Sequence, residues 1–186
     1  MQPELIIIGG SAGSLQVLLD LFENMDNDFS IPFLIVLHRN TRFDSSLEQL
    51  ISYKTNIPVK EIEDKDNLQQ RHIYICPADY HVLIEQDKIF SLDCSEKVHY
   101  SRPSIDVVIK SAADVYHDKL VCILLSGANA DGADGLRYAA AKGSVTVVQN
   151  PKTALVSYMP EQALLLSKIT YVLNQDELSQ FIRSLA

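Results

Sequence analysis

Three side chains of the kind that cooperate in acyl transfer stand at the ends of apolar runs. Ser11 follows "LIIIGG", His38 closes "PFLIVLH", and Asp131 lies in "SGANADG", just past "LVCILL". Brought together by a fold, they supply a nucleophile, a general base and an orienting acid. A serine in that role needs a tight strand-to-helix turn with backbone close by, and the glycines around it permit both. N–H groups at the start of the next helix then face a developing oxyanion, helped by the helix dipole. Ala12 N–H is the first such donor, and the loop "GANADG" offers a second near Ala128.

Each residue also has a plainer explanation. Glycine-rich strand-to-helix turns commonly hold phosphate, yet "GGSAGS" matches neither GxGxxG nor GxxxxGK[ST]. No acidic residue closes the following strand in a ribose-binding position; His38 stands there. "GGSAG" fits the GxSxG elbow, but α/β-hydrolases run Ser, Asp, His, whereas this chain runs Ser, His, Asp. A histidine ending a strand is often simply hydrogen-bonded, and Asp131 could cap the helix "DGLRYAAAKG". All three at one sheet edge argue for joint work. Ser14 and Ser126 are the next candidate nucleophiles.

Other residues stay open between roles. His81, after "IYICPADY", is structural or a substrate contact. Arg39, Arg42 and Arg102 flank the cleft and attract an acidic partner, or are ordinary surface arginines. His72, His99 and His117 sit in polar surroundings and read as surface residues. Two further function classes stand beside an esterase: a nucleotide-binding, flavodoxin-like module, and a catalytically idle domain of a signalling complex.

The elements that must position these residues alternate. Strands "LIIIGG", "PFLIVLH", "IYIC", "LVCILL" and "SVTVVQ" are separated by segments of helical periodicity. Pro103 lies near the start of the helix carried by "SRPSIDVVIKSAADVY", and Gly143 stops "DGLRYAAAKG". "PVKEIED" reads as a short strand, "YHVLIEQDKIFSL" as a hairpin turning at "QDK", and "KEIEDKDNLQQR" as a solvated connection. Strands apolar on both faces belong to a parallel sheet covered by helices. The expected fold is α/β: a three-layer, doubly wound, mostly parallel sheet with helices on both faces and one β-hairpin.

The 186 residues suit a single domain over 1–186. A net charge of −8 argues against nucleic-acid binding. No apolar run approaches the ~20 residues that span a bilayer, and "MQPELIII" lacks signal-peptide features. Cys76, Cys94 and Cys122 lack metal or disulfide spacing, and Cys76 and Cys122 read as small core residues within strands. A cytoplasmic protein without metal or organic cofactor is expected.

The chain resembles the catalytic domain of the bacterial chemotaxis protein-glutamate methylesterases, the CheB family. The likeness runs through "IIIGGSAGS", "LIVLH", "IYICPADYH", "RPSIDVVIKSAA", "ILLSGANADGADGL" and "VVQNPKTALVSYMPEQAL", in that order. It implies a triad of Ser11, His38 and Asp131, with the aspartate before the first glycine of "NADGADGL" selected over Asp134. It also implies hydrolysis of glutamate methyl esters, and deamidation of glutamines, on chemoreceptor cytoplasmic helices. Where the family usually has threonine after the serine, Ala12 stands; Ser14 replaces a glycine and Ala128 a methionine. Family members commonly carry an N-terminal receiver domain. Here the first strand is entered by Leu5, so none is expected: the protein works alone, is controlled by a separate regulatory protein, or is a piece of a longer chain.

Overall fold

The computed structural model describes residues 2–23, 25–26, 29–39 and 47–185. Every residue of β1 (Leu5–Gly10), β2 (Phe33–Leu37), β4 (Ile73–Ile75) and β7 (Leu120–Leu124) is buried, as strands covered on both faces must be. With β3 (Val59–Glu61), β8 (Val145–Gln149) and β9 (Tyr171–Leu173) they form one seven-stranded sheet, ordered β3-β4-β2-β1-β7-β8-β9. Every pairing in it is parallel.

Alternation along β1 sorts the core into two layers. Leu5 and Ile7 face α3 (Ile105–Tyr116), α4 (Ala133–Ala141), α5 (Tyr158–Leu166) and the hairpin β5–β6 (His81–Ile84, Phe90–Asp93). Ile6 and Ile8 face α1 (Leu15–Glu23), α2 (Leu47–Ser52) and α6 (Gln175–Arg183). Each helix turns its apolar stripe inward; α1 buries Val17, Leu18, Leu21 and Phe22. The strand order reverses at β1, between β2 and β7. In a doubly wound sheet that reversal opens a crevice at the carboxyl ends of the strands. No helix among the described residues is long and apolar enough to cross a membrane.

Pro103 lies near the start of α3, as expected, just before its cap. Ser104 is the cap, its hydroxyl accepting from Val107 N–H at 3.4 Å. Two local expectations need correction. "KEIEDKDNLQQR" is no free connection. Its first two residues, Lys60 and Glu61, belong to β3, where a short strand was expected, and the rest bridges the hairpin through Asn67 and Ile89. Asp64 accepts from Leu92 N–H at 3.0 Å, and Lys65 Nζ donates to Ser91 Oγ at 2.8 Å. Cys76 lies just past β4, while Cys122 is within β7; burial pushes both thiols up.

Candidate active site

Ser11 and His38 occupy equivalent places on neighbouring strands. Gly10 is in register with Leu37, and each of the two residues comes next. His38 N–H donates to Gly10 O at 3.2 Å, and Ser11 N–H to Ser126 O at 2.9 Å. The Ser11 carbonyl is held by Ser14, through its N–H at 3.1 Å and its hydroxyl at 2.6 Å. Gly13 has φ +80°, and a Cβ there would come within 2.7 Å of Leu155 Cβ. Glycine is needed at that position for conformation and for space. Ser126 Oγ lies 2.7 Å from Ala12 O and 3.1 Å from Val156 O, and accepts from Val156 N–H at 2.9 Å. Ser14 and Ser126 thus use their hydroxyls to hold the turn. No described residue hydrogen-bonds the Ser11 hydroxyl, or accepts from Ala12 N–H or Ala128 N–H.

Asp131 is fully buried and accepts from four donors. Oδ2 takes His38 Nε2–H at 2.7 Å and Ile105 N–H at 2.7 Å. Oδ1 takes the Ser104 hydroxyl at 2.8 Å and Asp106 N–H at 3.0 Å. The carboxylate therefore sits on the amino end of α3, where the free N–H groups and the dipole favour a negative charge. Burial opposes its ionisation, but the His38 and backbone hydrogen bonds outweigh it, so its carboxyl is held below the ordinary value. With Nε2–H donated to Asp131, Nδ1 is the nitrogen left to act as base.

Asp106 returns the arrangement. It belongs to the first turn of α3, yet its Oδ1 accepts from Gly132 N–H at 2.9 Å and Gly135 N–H at 2.6 Å, at the amino end of α4. Each helix start is satisfied by the other's aspartate. So Asp131 is a cap, as its plainer explanation had it, but for α3 and not for α4. Burial, then the nearby Asp131 charge, raises the Asp106 carboxyl above its ordinary value. His99 Nε2 lies 3.4 Å from Asp106 Oδ2, which places a histidine expected at the surface at the margin of the site.

The remaining candidates take structural places. His81 is 1% exposed, with Nε2 3.0 Å from Glu96 O and Nδ1 accepting from Ser104 N–H at 3.1 Å. Both nitrogens are engaged, so it supports the α3 cap and leaves none for a substrate. Arg39 is neither a surface arginine nor a cleft-flanking cation: its side chain is 7% exposed, pairs with Glu61 at 2.8 Å and donates to Cys76 O at 2.7 Å. Arg102 Nη1 donates to Cys94 O at 2.6 Å and Ser95 O at 2.7 Å, tying down the loop after β6. Arg42 lies outside the described residues.

Sequence reasoning missed Ser101, Ser104 and Asp106. An aspartate between Ile105 and Val108 on a buried helical face was a usable signal for Asp106. Ser101, whose Oγ is 3.2 Å from His38 Nδ1, had none, because it arrives from a loop with no periodicity.

Residues 6–182 match the family described as CheB methylesterase. A Leptospira interrogans protein, named provisionally as a protein-glutamate methylesterase/protein-glutamine glutaminase, is 40% identical over 184 residues, 98% of this chain and 95% of that one. The Thermotoga maritima protein-glutamate methylesterase/protein-glutamine glutaminase is 28% identical across 91% of this chain and 50% of its own length. The crystal structure of the Thermotoga maritima CheB methylesterase catalytic domain matches at a TM-score of 0.93 with 26% identity, covering 100% of both chains. The parallel sheet, the hairpin and the order of the motifs all agree with that match, and this chain belongs to the CheB methylesterase family.

Proposed function

We propose that this chain is a serine-dependent protein-glutamate methylesterase whose substrates are methylated glutamates on the cytoplasmic helices of chemoreceptors. Glutamine deamidation at the same site is the companion reaction, since only the leaving group differs. The observation that carries this assignment is the His38–Asp131 contact of 2.7 Å, set one residue past β2 beside the Ser11 turn.

The chemistry follows from the geometry. Asp131 holds Nε2–H, so His38 presents Nδ1 as base. Ser11 Oγ attacks the ester carbonyl carbon and its proton passes to Nδ1. Negative charge builds on the carbonyl oxygen, for which Ala12 and Ala128 N–H are the assigned donors. The imidazolium formed is stabilised by Asp131, itself fixed on the α3 dipole. Collapse of the tetrahedral intermediate expels methoxide, which leaves as methanol with the proton from Nδ1. Water then attacks the acyl-enzyme with His38 again as base, and Ser11 is restored.

Methanol release from a methylated receptor preparation tests the assignment. Ser11→Ala should keep the fold and lose both methanol release and fluorophosphonate labelling, by about 10⁴-fold or more. Labelling unchanged in Ser11→Ala would overturn it.

A further inference from the structure

Ser101 lies where a bystander would not. Its Oγ is 3.2 Å from His38 Nδ1, the nitrogen that must accept the Ser11 proton. Two more groups reach the same oxygen. Asn129 Nδ2 donates to it at 3.3 Å, and the His99 carbonyl lies 3.4 Å away as an acceptor for its proton. The backbone holds the hydroxyl there. Val98 and Ser101 exchange N–H···O bonds of 3.2 and 2.9 Å around a two-residue turn. Both central residues are left-handed, His99 at φ 48° and Tyr100 at φ 63°, as in a type I′ turn. Neither is glycine or asparagine, so the turn is strained, and strain of this kind collects at functional sites.

We propose that Ser101 is a positioning residue whose hydroxyl turns with the charge state of His38, donating to Nδ1 when the ring is neutral and accepting from Nδ1–H when it is cationic. This rests on the assignment of Ser11 as nucleophile and His38 as base. The hydroxyl has one proton and two places to put it. Toward neutral His38 it donates to Nδ1, and the His99 carbonyl keeps the Asn129 amide, 3.3 Å away, as its donor. Toward the imidazolium it donates to His99 O, while its lone pairs take Nδ1–H and the Asn129 amide. Both arrangements satisfy the neighbours, but the bond that Ser101 accepts from the cation is charge-assisted and the stronger of the two. Ser101 therefore favours the imidazolium that builds as Ser11 attacks. In the resting enzyme it keeps the ring seated on Asp131, and as Ser11 attacks, the new Nδ1–H is shared between the two serine oxygens.

The charged groups around the ring are Asp131 at Nε2, Asp106 on α3 with His99 of the Val98–Ser101 turn against it, and Arg39 with Glu61 beside β2. Only Ser101 touches Nδ1 among the described residues. Its removal takes one partner from the cation and leaves the others in place.

Fluorophosphonate inactivation of the full chain, followed across pH, tests this. Ser101→Ala should lower the maximal inactivation rate by roughly 10- to 150-fold, the range for a hydrogen bond to a charged group, with probe affinity unchanged. The acid limb of its rate profile should move to lower pH, because a less stabilised imidazolium gives up its proton sooner. Ser101→Thr, which restores a hydroxyl, should recover most of the rate. A merely structural lesion would lower the rate without moving the acid limb. That result, or a Ser101→Ala variant with wild-type rate and profile, overturns the proposal and leaves Ser11 as nucleophile. Labelling lost in Ser101→Ala but retained in Ser11→Ala would make Ser101 the nucleophile, overturning this proposal and the assignment beneath it.

Discussion

Asp131 accepts hydrogen bonds from His38, Ser104, Ile105 and Asp106, whereas the Ser11 hydroxyl has no described partner. The two ends of the proposed triad are thus built on opposite terms. The acid is buried, locked between α3 and α4, and part of the structure that holds those helices together. The proposed nucleophile has its backbone fixed by Ser14 and Ser126, while its hydroxyl has no partner among the described residues. A carboxylate that must stay ionised and immobile gains from saturation. A hydroxyl that must meet a substrate carbonyl and then a base nitrogen gains from having no fixed partner.

The strongest way to break this contrast is Asp131→Asn. The amide cannot accept at both positions. It must set an NH₂ group against either His38 and Ile105 N–H or the Ser104 hydroxyl and Asp106 N–H. Esterase activity should fall by up to ~10⁴, by analogy with the wrong-tautomer effect in serine proteases. Stability should fall too, by about 1–3 kcal/mol, since a buried donor loses its partner. Denaturant unfolding and methanol release on one preparation check both. A loss of activity with full stability would show that the cap role is idle.

At the other end, Gly13→Ala sharpens the contrast. The turn's left-handed backbone would cost an alanine about 1–2 kcal/mol. The new Cβ would also press on Leu155, whose side chain is exposed, and on Ser126 Oγ at 2.9 Å, which is not free to move. Displacing Ser11 from its place beside His38 should lower activity by up to ~10² while the His38–Asp131 contact survives. The NMR signal of the His38 Nε2 proton, unchanged in this variant, would show that the lesion stays on the serine side.

How much of this could be read from the sequence differs between the same two regions. The sheet was legible because strands covered on both faces must be apolar throughout, and "LIIIGG", "FLIVL" and "LVCIL" are. Residues just past such strands fall on the carboxyl edge, which put forward Ser11, His38 and Asp131 together with His81, and the family resemblance chose among them. What surrounds Asp131 was not legible. The exchange of aspartates between α3 and α4 depends on how two helices dock, and so does Ser101, carried in on a turn from beyond the hairpin. Arg39 was misread for a related reason. Its position after His38 placed it at the cleft, but Glu61 and the Cys76 carbonyl draw the guanidinium towards β3 and β4.

The paired aspartates carry a pH signature. The Asp131 carboxyl is lowered in the fold, so it contributes stability above the ordinary carboxyl range and loses it as pH falls through its folded value. Asp106 is raised, so its charge costs stability near neutrality, and that cost is relieved as it takes up a proton above 3.8. Stability should therefore rise slightly as pH falls from 7 towards the ordinary carboxyl range, then drop as Asp131 protonates. Asp106→Asn should abolish the rise and keep the drop. Urea midpoints measured at half-unit steps of pH would show it. A rise that persists in Asp106→Asn would assign it to another group.

The smallest effect belongs to the carboxylate three residues from Asp131. Asp134 lies in the first turn of α4, with its side chain 38% exposed, and pairs with Lys110 and Arg137. Those two cations lower its carboxyl, yet they act across solvent, where ion pairs are weak and screened. Its charge also favours the α4 dipole, a contribution confined to the first turn. Asp134→Asn should therefore cost from a few tenths to about 1 kcal/mol, shrinking further in high salt, and leave methanol release at the wild-type rate. The comparison with Asp131→Asn is direct, because both changes are isosteric and lie within one short loop and helix start. One carboxylate reaches the base and the other reaches solvent. A severe loss of activity in Asp134→Asn, beside a near-normal Asp131→Asn, would reverse the assignment of the acid.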